Sequence, residues 1–246
     1  MLNNRNNWFK SWFDTKYYHI LYKHRNNEEA SYFIRNLVNY LKIPSNSLVA
    51  DVACGKGRHS LELSKYNLNV WGMDLSSNSI QFANEHANDR TEFSVHDMRE
   101  SFPKGNFDYI FNLFTSFGYF EDSNEDLKCI ENISNALNKG GYFIQDYLNA
   151  KTVVSNFPQN ETKMIDDVEF GISKLVNGIF IEKHIQVKHH DFEDAFMERV
   201  KMISMDELVK MYAKVGLNLI SVFGNYSLDD FDENNSPRII LIAQKV

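Results

Sequence analysis

Three stretches of this sequence carry side chains whose types and spacing suit a bound nucleoside. The first covers residues 49–58, VADVACGKGR, and joins a predicted strand to a predicted helix. Gly55 and Gly57 let the backbone turn tightly and approach a ligand closely, and the helix that follows presents unpaired N–H groups to an anion. Asp51, four residues before Gly55, adds a carboxylate at the end of the strand. This pattern predicts a ligand with both cationic and anionic groups.

Two further acidic residues follow the next two predicted strands. Asp74 lies 17 residues after Gly57, where a carboxylate can accept hydrogen bonds from both ribose hydroxyls. Asp97, within His96-Asp97-Met98, can accept a hydrogen bond from the exocyclic amine of adenine. A surface position for Asp74 and a helix cap at Asp97 are the alternatives. Because all three acidic residues end consecutive parallel strands, we expect them at the sheet edge where open α/β sheets bind ligands.

The same residues separate two classes of adenosine-containing cofactor. Nicotinamide enzymes favour Gly-x-Gly-x-x-Gly, but the third position here is Ser60. Asp51 would also repel the pyrophosphate of a dinucleotide. A carboxylate beside glycine-rich N–H groups suits a ligand with an amino group and a carboxylate, such as S-adenosylmethionine. A nicotinamide-dependent oxidoreductase is the less favoured alternative.

The elements that must position these residues alternate between strand and helix. Such alternation predicts a parallel sheet with right-handed crossovers and helices on both faces. We expect Asn27 and Ser77 to cap helices, and Gly140-Gly141 to end one. The predicted strands cover residues 47–53, 68–73, 92–95, 107–113 and 142–147, and the predicted helices cover 27–42, 58–65, 77–87 and 124–137.

The pattern changes after residue 149. Asn177-Gly178 separates two β-rich stretches and is a strong signal for a hairpin turn. Ser204 and Glu207 form a capping box for a helix that Gly216 ends, and residues 217–223 and 238–243 are expected to be antiparallel neighbours. The predicted strands of the insertion cover residues 170–176, 179–187 and 195–203.

The sequence resembles the class I S-adenosylmethionine-dependent methyltransferases over roughly residues 30–149 and the last two strands. The resemblance implies an α/β, Rossmann-like fold with a seven-stranded, mostly parallel sheet, an antiparallel last strand and an antiparallel β insertion after strand 5. Asp97-Met98-Arg99 and residues 112–119 are similar to a bacterial subgroup of uncharacterised methyltransferases. The insertion, with Ser236-Pro237-Arg238, resembles small-molecule members, including amino-sugar N-methyltransferases.

The resemblance also implies roles for ten cofactor-binding residues. They are Asp51 near the methionine amino group, Gly55 and Gly57 at the methionyl carboxylate, Asp74 on the ribose, Leu75 at the adenine, Asp97 and Met98 at the adenine edge, Asn112 and Leu113 at the methionyl end, and Arg58 of the first motif without a more specific role.

Four segments follow from this organisation. Residues 1–26 are an aromatic lid segment or helical turns packed on the body, and residues 27–149 form the S-adenosylmethionine-binding core. Residues 150–203 cover the acceptor or form a dimer contact, and residues 204–246 complete the core. The candidates for the acceptor pocket are Tyr17, Tyr18, His19, Tyr119, Tyr147 and Asn149, with His19 as the best candidate for a base but no catalytic assignment.

Composition limits the partners. The net charge of −7, from 26 Lys+Arg and 33 Asp+Glu, argues against a nucleic-acid substrate. Methylases of nucleic-acid or glutamine amides carry an Asp/Asn-Pro-Pro-aromatic signature where this chain has residues 112–115, NLFT. Cys54 and Cys129 give no disulfide framework or zinc quartet. His184, His189 and His190 have a spacing that suits no metal site.

We therefore expect a methyltransferase, without a metal, that acts on a small molecule by in-line displacement. An amine acceptor is slightly favoured over a hydroxyl or carboxylate. A polar N-terminus and the lack of an apolar run of about 18 residues predict a cytoplasmic protein, either monomer or homodimer. A non-catalytic protein that binds an adenosyl ligand is the alternative.

Overall fold

Short apolar segments form the central sheet of the protein. The computed structural model describes residues 8–23 and 27–246, so residues 1–7 and 24–26 of the predicted lid segment lie outside the described part. The sheet strands are β1 Leu48–Val52, β2 Asn69–Asp74, β3 Thr91–Val95, β4 Phe107–Asn112 and β5 Leu137–Leu148, with four further strands of the insertion (β6 Asn160–Ile165, β7 Val168–Asn177, β8 Phe180–His189, β9 Phe192–Lys201) before β10 Leu217–Phe223 and β11 Arg238–Lys245.

Helices connect these strands and cover both faces of the sheet. The capping box at Ser204 and Glu207 is confirmed at the start of the last helix. The helices are α1 Trp8–Trp12, α2 Lys16–Leu21, α3 Asn27–Leu41, α4 Arg58–Ser64, α5 Ser77–Glu85, α6 Ser123–Ala136, α7 Ala150–Asn156 and α8 Met205–Lys214.

The strand order confirms the predicted α/β architecture. The seven strands lie in the order β10-β11-β5-β4-β1-β2-β3. The pairs among β1 to β5 are parallel, whereas β11 is antiparallel to both β5 and β10. The chain therefore reverses direction only at its last strand, and the carboxyl ends of β1 to β5 meet at one edge.

The insertion is a separate antiparallel sheet with the order β6-β7-β8-β9. Asn177 pairs with Phe180, so the hairpin turn consists of Gly178 and Ile179, one position later than predicted. Gly178 has φ +59°, the left-handed conformation that glycine adopts readily. The sequence did not predict α7 or β6, because β6 is a mostly exposed, polar edge strand without an apolar alternation.

Two predicted helix boundaries need correction. Ser76 rather than Ser77 caps α5, because its side chain accepts from the Ser79 N–H. Gly140-Gly141 does not end α6 but lies inside β5. A Cβ on Gly141 would lie 2.9–3.1 Å from three backbone oxygens, so this glycine allows β5 to approach its neighbours closely.

The N-terminal helices are fixed to the body by buried aromatic side chains. Trp8 and Trp12 are 2% and 1% exposed, and they belong to the same apolar cluster as Val52 of the sheet and Phe170 of the insertion. The segment thus joins the core to the insertion. Across residues 8–23 and 27–246, none of the helices has the length and apolar character needed to cross a membrane.

Candidate active site

A cavity of about 770 Å³ lies at the carboxyl ends of the parallel strands. Its floor includes Asp51, Asp74 and Leu113, and its roof includes residues of α1 and α2 together with Glu198 of β9. Pockets for small ligands span roughly 300–1,000 Å³. This cavity is therefore large enough for a nucleoside-sized ligand and a small second molecule.

The glycine-rich turn forms one wall with its backbone. Ala53, Gly55 and Gly57 have φ values of +59°, +56° and +78°. A Cβ on Gly55 would meet nothing within 4 Å, whereas one on Gly57 would lie 2.8 Å from the Phe93 ring. Gly55 thus leaves space at the cavity wall, and Gly57 is required by packing on β3.

Asp51 is a buried carboxylate at the end of β1. It is 1% exposed, and the Ser60 hydroxyl donates a 2.6 Å hydrogen bond to its Oδ2. Burial raises the pKa of Asp51 to about 7, because a low-dielectric environment disfavours the charged form. Ser60, which breaks the nicotinamide pattern in the sequence, therefore positions this carboxylate.

Asp74 holds the glycine-rich turn against the end of β2. Its Oδ2 accepts from the Gly55 N–H at 2.8 Å, and its Oδ1 accepts from the Ser76 N–H at 2.8 Å. Burial raises the pKa of Asp74 despite these hydrogen bonds. Since a carboxylate offers about four lone-pair sites, each oxygen can still accept from a ligand hydroxyl.

Asp97 is paired with Arg99. Arg99 Nε lies 3.0 Å from Asp97 Oδ1 and Nη2 lies 2.6 Å from Oδ2, while Nη1 donates to Glu125 at 2.7 Å. Burial acts to raise the pKa of Asp97, but the hydrogen bonds from Arg99 hold it below its ordinary value. Asp97 therefore meets any ligand as a carboxylate.

The structure brings eight of the ten predicted cofactor residues to the cavity. Gly57 and Asn112 are outside the cavity wall formed by the described residues. Asn112 Nδ2 instead donates to the carbonyls of Val52 and Ser116 at 3.1 Å each, which ties the end of β4 to β1. The eight residues in the wall are Asp51, Gly55, Arg58, Asp74, Leu75, Asp97, Met98 and Leu113.

Only three of the six acceptor-pocket candidates line the same wall: Tyr18, His19 and Tyr119. Tyr17, Tyr147 and Asn149 are placed elsewhere, which corrects their assignment to the pocket. The Tyr147 hydroxyl donates to the Lys201 carbonyl at 2.7 Å, and Asn149 Nδ2 donates to the Ser236 carbonyl at 2.8 Å. Both side chains are buried and hold together parts of the chain that are distant in sequence.

His19 and Tyr18 present polar groups from α2. Burial and the nearby Lys56 lower the pKa of His19 to about 4, so the imidazole is neutral at pH 7. Burial raises the pKa of Tyr18, with Glu198 and Asp74 adding to the effect. Both groups are therefore uncharged when they face a ligand.

Comparison with known proteins identifies the family to which the chain belongs. The sequence model of a family described as "Methyltransferase domain" matches residues 43–208, which is more than half of the chain. The chain belongs to the class I S-adenosylmethionine-dependent methyltransferases. A protein described as putative methyltransferase YqeM, from Bacillus subtilis, is 26% identical over 216 residues, covering 82% of this chain and 86% of that protein.

Solved structures share the methyltransferase fold over almost the whole chain. A S-adenosylmethionine-dependent methyltransferase from Clostridium acetobutylicum has a TM-score of 0.78 and 21% identity, covering 94% of this chain and 98% of that one. CalS10, described as an amino pentose methyltransferase from Micromonospora echinaspora, has a TM-score of 0.71 and 18% identity, covering 94% and 98%. These likenesses confirm the fold class.

Sequence reasoning missed a polar cluster, Trp12–Tyr22–Lys183–Glu198, that ties the methyltransferase's N-terminal helices to its insertion. Glu198 accepts from Trp12 Nε1 at 2.7 Å and from the Tyr22 hydroxyl at 2.8 Å. Lys183 Nζ lies 3.5 Å from the same carboxylate. Trp12 and Tyr22 lie more than 160 residues before Glu198 in the sequence. No local sequence pattern therefore predicts the cluster.

A second contact ties the N-terminal segment to the cofactor side of the cavity. The Asp14 carboxylate accepts from the Ser76 hydroxyl at 2.5 Å and from Asn78 Nδ2 at 2.7 Å, both at the start of α5. The segment therefore spans the cavity from α5 to β9. We call residues 8–23 the N-terminal cover.

The loop after β4 is held in an unusual conformation by Asp146 and Arg238. Phe114 and Thr115 have φ values of +61° and +59°, which are uncommon for residues with side chains. Asp146 accepts from the Phe114 N–H at 2.9 Å and from Arg238 Nε at 2.7 Å, while Arg238 Nη2 donates to the Thr115 hydroxyl at 2.7 Å. Such strain persists where the surroundings enforce it, often at functional sites.

Proposed function

We propose that this enzyme transfers a methyl group from S-adenosylmethionine to a small-molecule acceptor bound beneath the N-terminal cover. The observation that carries the proposal is one cavity with an acidic, glycine-rich floor and an aromatic roof. The floor supplies acceptors for an ammonium and a ribose. The roof supplies aromatic side chains against which a second molecule can be held.

The residues of the floor fit the cofactor. Asp51 is a carboxylate whose pKa is raised by burial, and an ammonium beside it would favour its charged form. Gly55 leaves space for the methionyl carboxylate, and Asp74 has acceptor capacity for the ribose hydroxyls. Asp97 and Met98 would contact the adenine, while Arg58, Leu75 and Leu113 complete the wall. We assign no metal to this site.

The chain's own groups would align and shield the reaction. When bound, S-adenosylmethionine supplies a methyl group on a sulfonium sulfur. The acceptor atom attacks the methyl carbon in line with the carbon–sulfur bond, and the sulfur is displaced. The N-terminal cover, tied down at Asp14 and Glu198, would exclude water and hold the acceptor at the floor. Charge disperses in this kind of transition state, so a dry and well-aligned site is the main requirement.

An amine is the acceptor that this site favours. Burial lowers the pKa of two of the three wall histidines, to about 4 for His19 and about 3 for His59. A hydroxyl acceptor benefits from a general base with a pKa near the working pH, whereas a neutral amine needs none. The fold similarity to CalS10, described as an amino pentose methyltransferase, agrees with this preference.

The net charge of −7 supports a small-molecule rather than a nucleic-acid acceptor. We further propose that the enzyme acts in the cytoplasm, as a monomer or homodimer.

Calorimetric titration tests the cofactor first. We expect S-adenosylmethionine and S-adenosylhomocysteine to bind, NAD not to bind, and Asp74→Ala to weaken binding by about 1–3 kcal/mol through lost hydrogen bonds. Asp89→Ala, an exposed aspartate outside the wall, is the matched control. Unchanged affinity in Asp74→Ala would remove this residue from the site.

Methyl transfer from a labelled cofactor then tests the acceptor. Parallel panels of small amines, alcohols and carboxylates should give turnover with amines first. Turnover of alcohols alone would overturn the amine preference. Cofactor binding without turnover on any panel would favour a non-catalytic adenosyl-binding protein.

A further inference from the structure

Two turns at one end of the insertion sheet bring together three side chains that can ligate a metal. Asp167 lies in the turn between β6 and β7, His189 ends β8, and His190 follows it. Asp167 Oδ2 lies 2.9 Å from His189 Nε2 and 3.2 Å from His190 Nε2. The three ligand atoms all lie within 4.8 Å of one another. None of these three residues lines the cavity formed by the described part of the chain.

We propose that Asp167, His189 and His190 bind a divalent transition-metal ion, with zinc as the test case. Imidazole and carboxylate are suitable ligands for such ions. Zinc bonds of about 2.0–2.2 Å in a tetrahedral site place ligand atoms roughly 3.3–3.5 Å apart. The two oxygen–nitrogen distances therefore need to change by only a few tenths of an ångström. Three protein ligands leave a fourth position for water or a ligand.

The surroundings of His189 favour ligation through Nε2. Its Nδ1 lies 3.3 Å from the Tyr17 hydroxyl, and the Tyr17 ring stacks on Phe192 with a centroid distance of 5.0 Å. A hydrogen-bond partner at the second ring nitrogen fixes the orientation of a metal-binding histidine. The His189 side chain is 18% exposed, whereas His190 is 74% exposed. One ligand is thus held by the fold while another can adjust.

The neighbouring residue, Asp166, is the aspartate that pairs with a lysine of the N-terminal cover, so Asp167 is not needed for that ion pair. Lys23 Nζ lies 3.0 Å from both carboxylate oxygens of Asp166. This pair, like the Tyr17 contact, joins the N-terminal cover to the insertion. A metal at Asp167, His189 and His190 would therefore also stabilise the attachment of α2, which carries Tyr18 and His19 into the cavity.

The spacing of the histidines in the sequence does not predict this site, because the acidic ligand lies in a different turn from the two histidines. Two adjacent histidines alone suit no metal, and Asp167 lies 22 residues before His189. The antiparallel pairing of β7 with β8 sets Glu169 opposite Lys188, which brings the two turns to the same end of the sheet.

A competition titration against a chromogenic zinc chelator tests the proposal on tag-free, chelator-treated full-length protein. We expect one Zn²⁺ per chain with a Kd in the low micromolar range or tighter. His190→Ala and Asp167→Asn should each weaken binding at least tenfold. His86→Ala, which removes an exposed histidine directly after α5, should leave the affinity unchanged.

Thermal denaturation gives an independent readout that does not depend on methyl transfer. Zn²⁺ should raise the Tm of the wild type and of His86→Ala, but not that of His190→Ala. Zinc affinity in His190→Ala and Asp167→Asn equal to that of the wild type would overturn the proposal. Binding only at hundreds of micromolar, reduced equally by His86→Ala, would identify adventitious surface binding and would also overturn it.

Discussion

At the scale of single residues, Asp51 combines a place in the cavity wall with a cost to stability. Its pKa of about 7 in the folded protein lies above the ordinary value near 4 because the carboxylate is buried. Between these two pH values, the folded chain holds a proton that the unfolded chain releases. The free energy of unfolding therefore falls as pH rises from about 4 to 7, and stays at the lower level above pH 7.

Asp51→Asn should remove this dependence. We expect the variant to be more stable than the wild type at pH 8, by roughly 2–4 kcal/mol, with a difference that disappears towards pH 4. The same change should abolish binding of the cofactor, because an amide cannot neutralise an ammonium. Urea denaturation at pH 4, 6 and 8 measures the first effect and calorimetry the second. A stability difference independent of pH would contradict the assignment of the titration to Asp51.

The two glycines of the glycine-rich turn are expected to differ in function: Gly57 allows close packing, and Gly55 allows close approach of the cofactor. Gly57→Ala should destabilise the protein by about 2–4 kcal/mol, because its Cβ would collide with the Phe93 ring at 2.8 Å and its φ of +78° is unfavourable for alanine. Gly55→Ala should cost about 1 kcal/mol from its φ of +56° alone, yet weaken cofactor binding more than tenfold.

Urea denaturation and calorimetry on the two glycine variants separate these roles. Equal losses of stability would contradict the packing role of Gly57 against Phe93. A Gly55→Ala variant that binds the cofactor normally would show that the turn does not approach the ligand as proposed.

At the scale of elements, the N-terminal cover depends on polar contacts with the start of α5 on one side of the cavity and with β9 on the other. Trp12→Phe keeps the apolar packing but removes the donor to Glu198. We expect cofactor dissociation to become several times faster, because one tie of the cover is lost. Trp71→Phe is the matched control, since the buried Trp71 Nε1 has no hydrogen-bond partner within the described chain.

Stopped-flow measurement of cofactor release distinguishes the two tryptophan variants. Equal release rates in Trp12→Phe and in the wild type would mean that the cover does not control access to the cavity.

Elements with a local signal could be predicted from the sequence, and elements without one could not. Apolar runs followed by glycine or aspartate located β1 and β2, and the Ser204–Glu207 capping box located α8. The polar edge strand β6 lacks such a signal. Likewise, a Gly-Gly pair is typical of a helix end, which is what the sequence predicts for Gly140-Gly141. The pair lies inside β5, where the close packing around Gly141 requires glycine.

The residues of the candidate site also differ in whether a local sequence signal predicts them. The placement of Asp51, Gly55 and Asp74 at the cavity could be predicted because they lie at or just after the carboxyl ends of β1 and β2. Parallel topology brings such strand ends together. The partners of Glu198 and the ligands around His189 could not be predicted, because they meet only through the packing of the N-terminal cover and the insertion. The family resemblance places Asn112 at the cofactor, and Tyr147 is a candidate for the acceptor pocket. Both residues lie at strand ends, but their side chains are buried in the interior.

At the scale of the whole molecule, buried charges join the insertion to the core. Lys201 at the end of β9 forms an ion pair with Asp126 of α6, and both side chains are almost fully buried. The Lys201 backbone N–H also donates to the Gly118 carbonyl at 2.8 Å. Burial raises the pKa of Asp126 to about 6, although Lys201 opposes the effect. The insertion is thus attached through groups that are costly to leave unpaired.

Lys201→Met should therefore destabilise the whole protein by about 3–5 kcal/mol, because it leaves the buried Asp126 without its partner. Adding Asp126→Leu should recover much of this loss, since a buried ion pair can often be replaced by apolar side chains of similar size. Lys151→Met, which breaks an exposed pair with Glu233 at 3.6 Å, should change stability by less than about 1 kcal/mol. Urea denaturation followed by fluorescence and by circular dichroism should show one shared transition in all four proteins. If the insertion folded independently, Lys201→Met would instead separate the two probes, and the core would keep its wild-type midpoint.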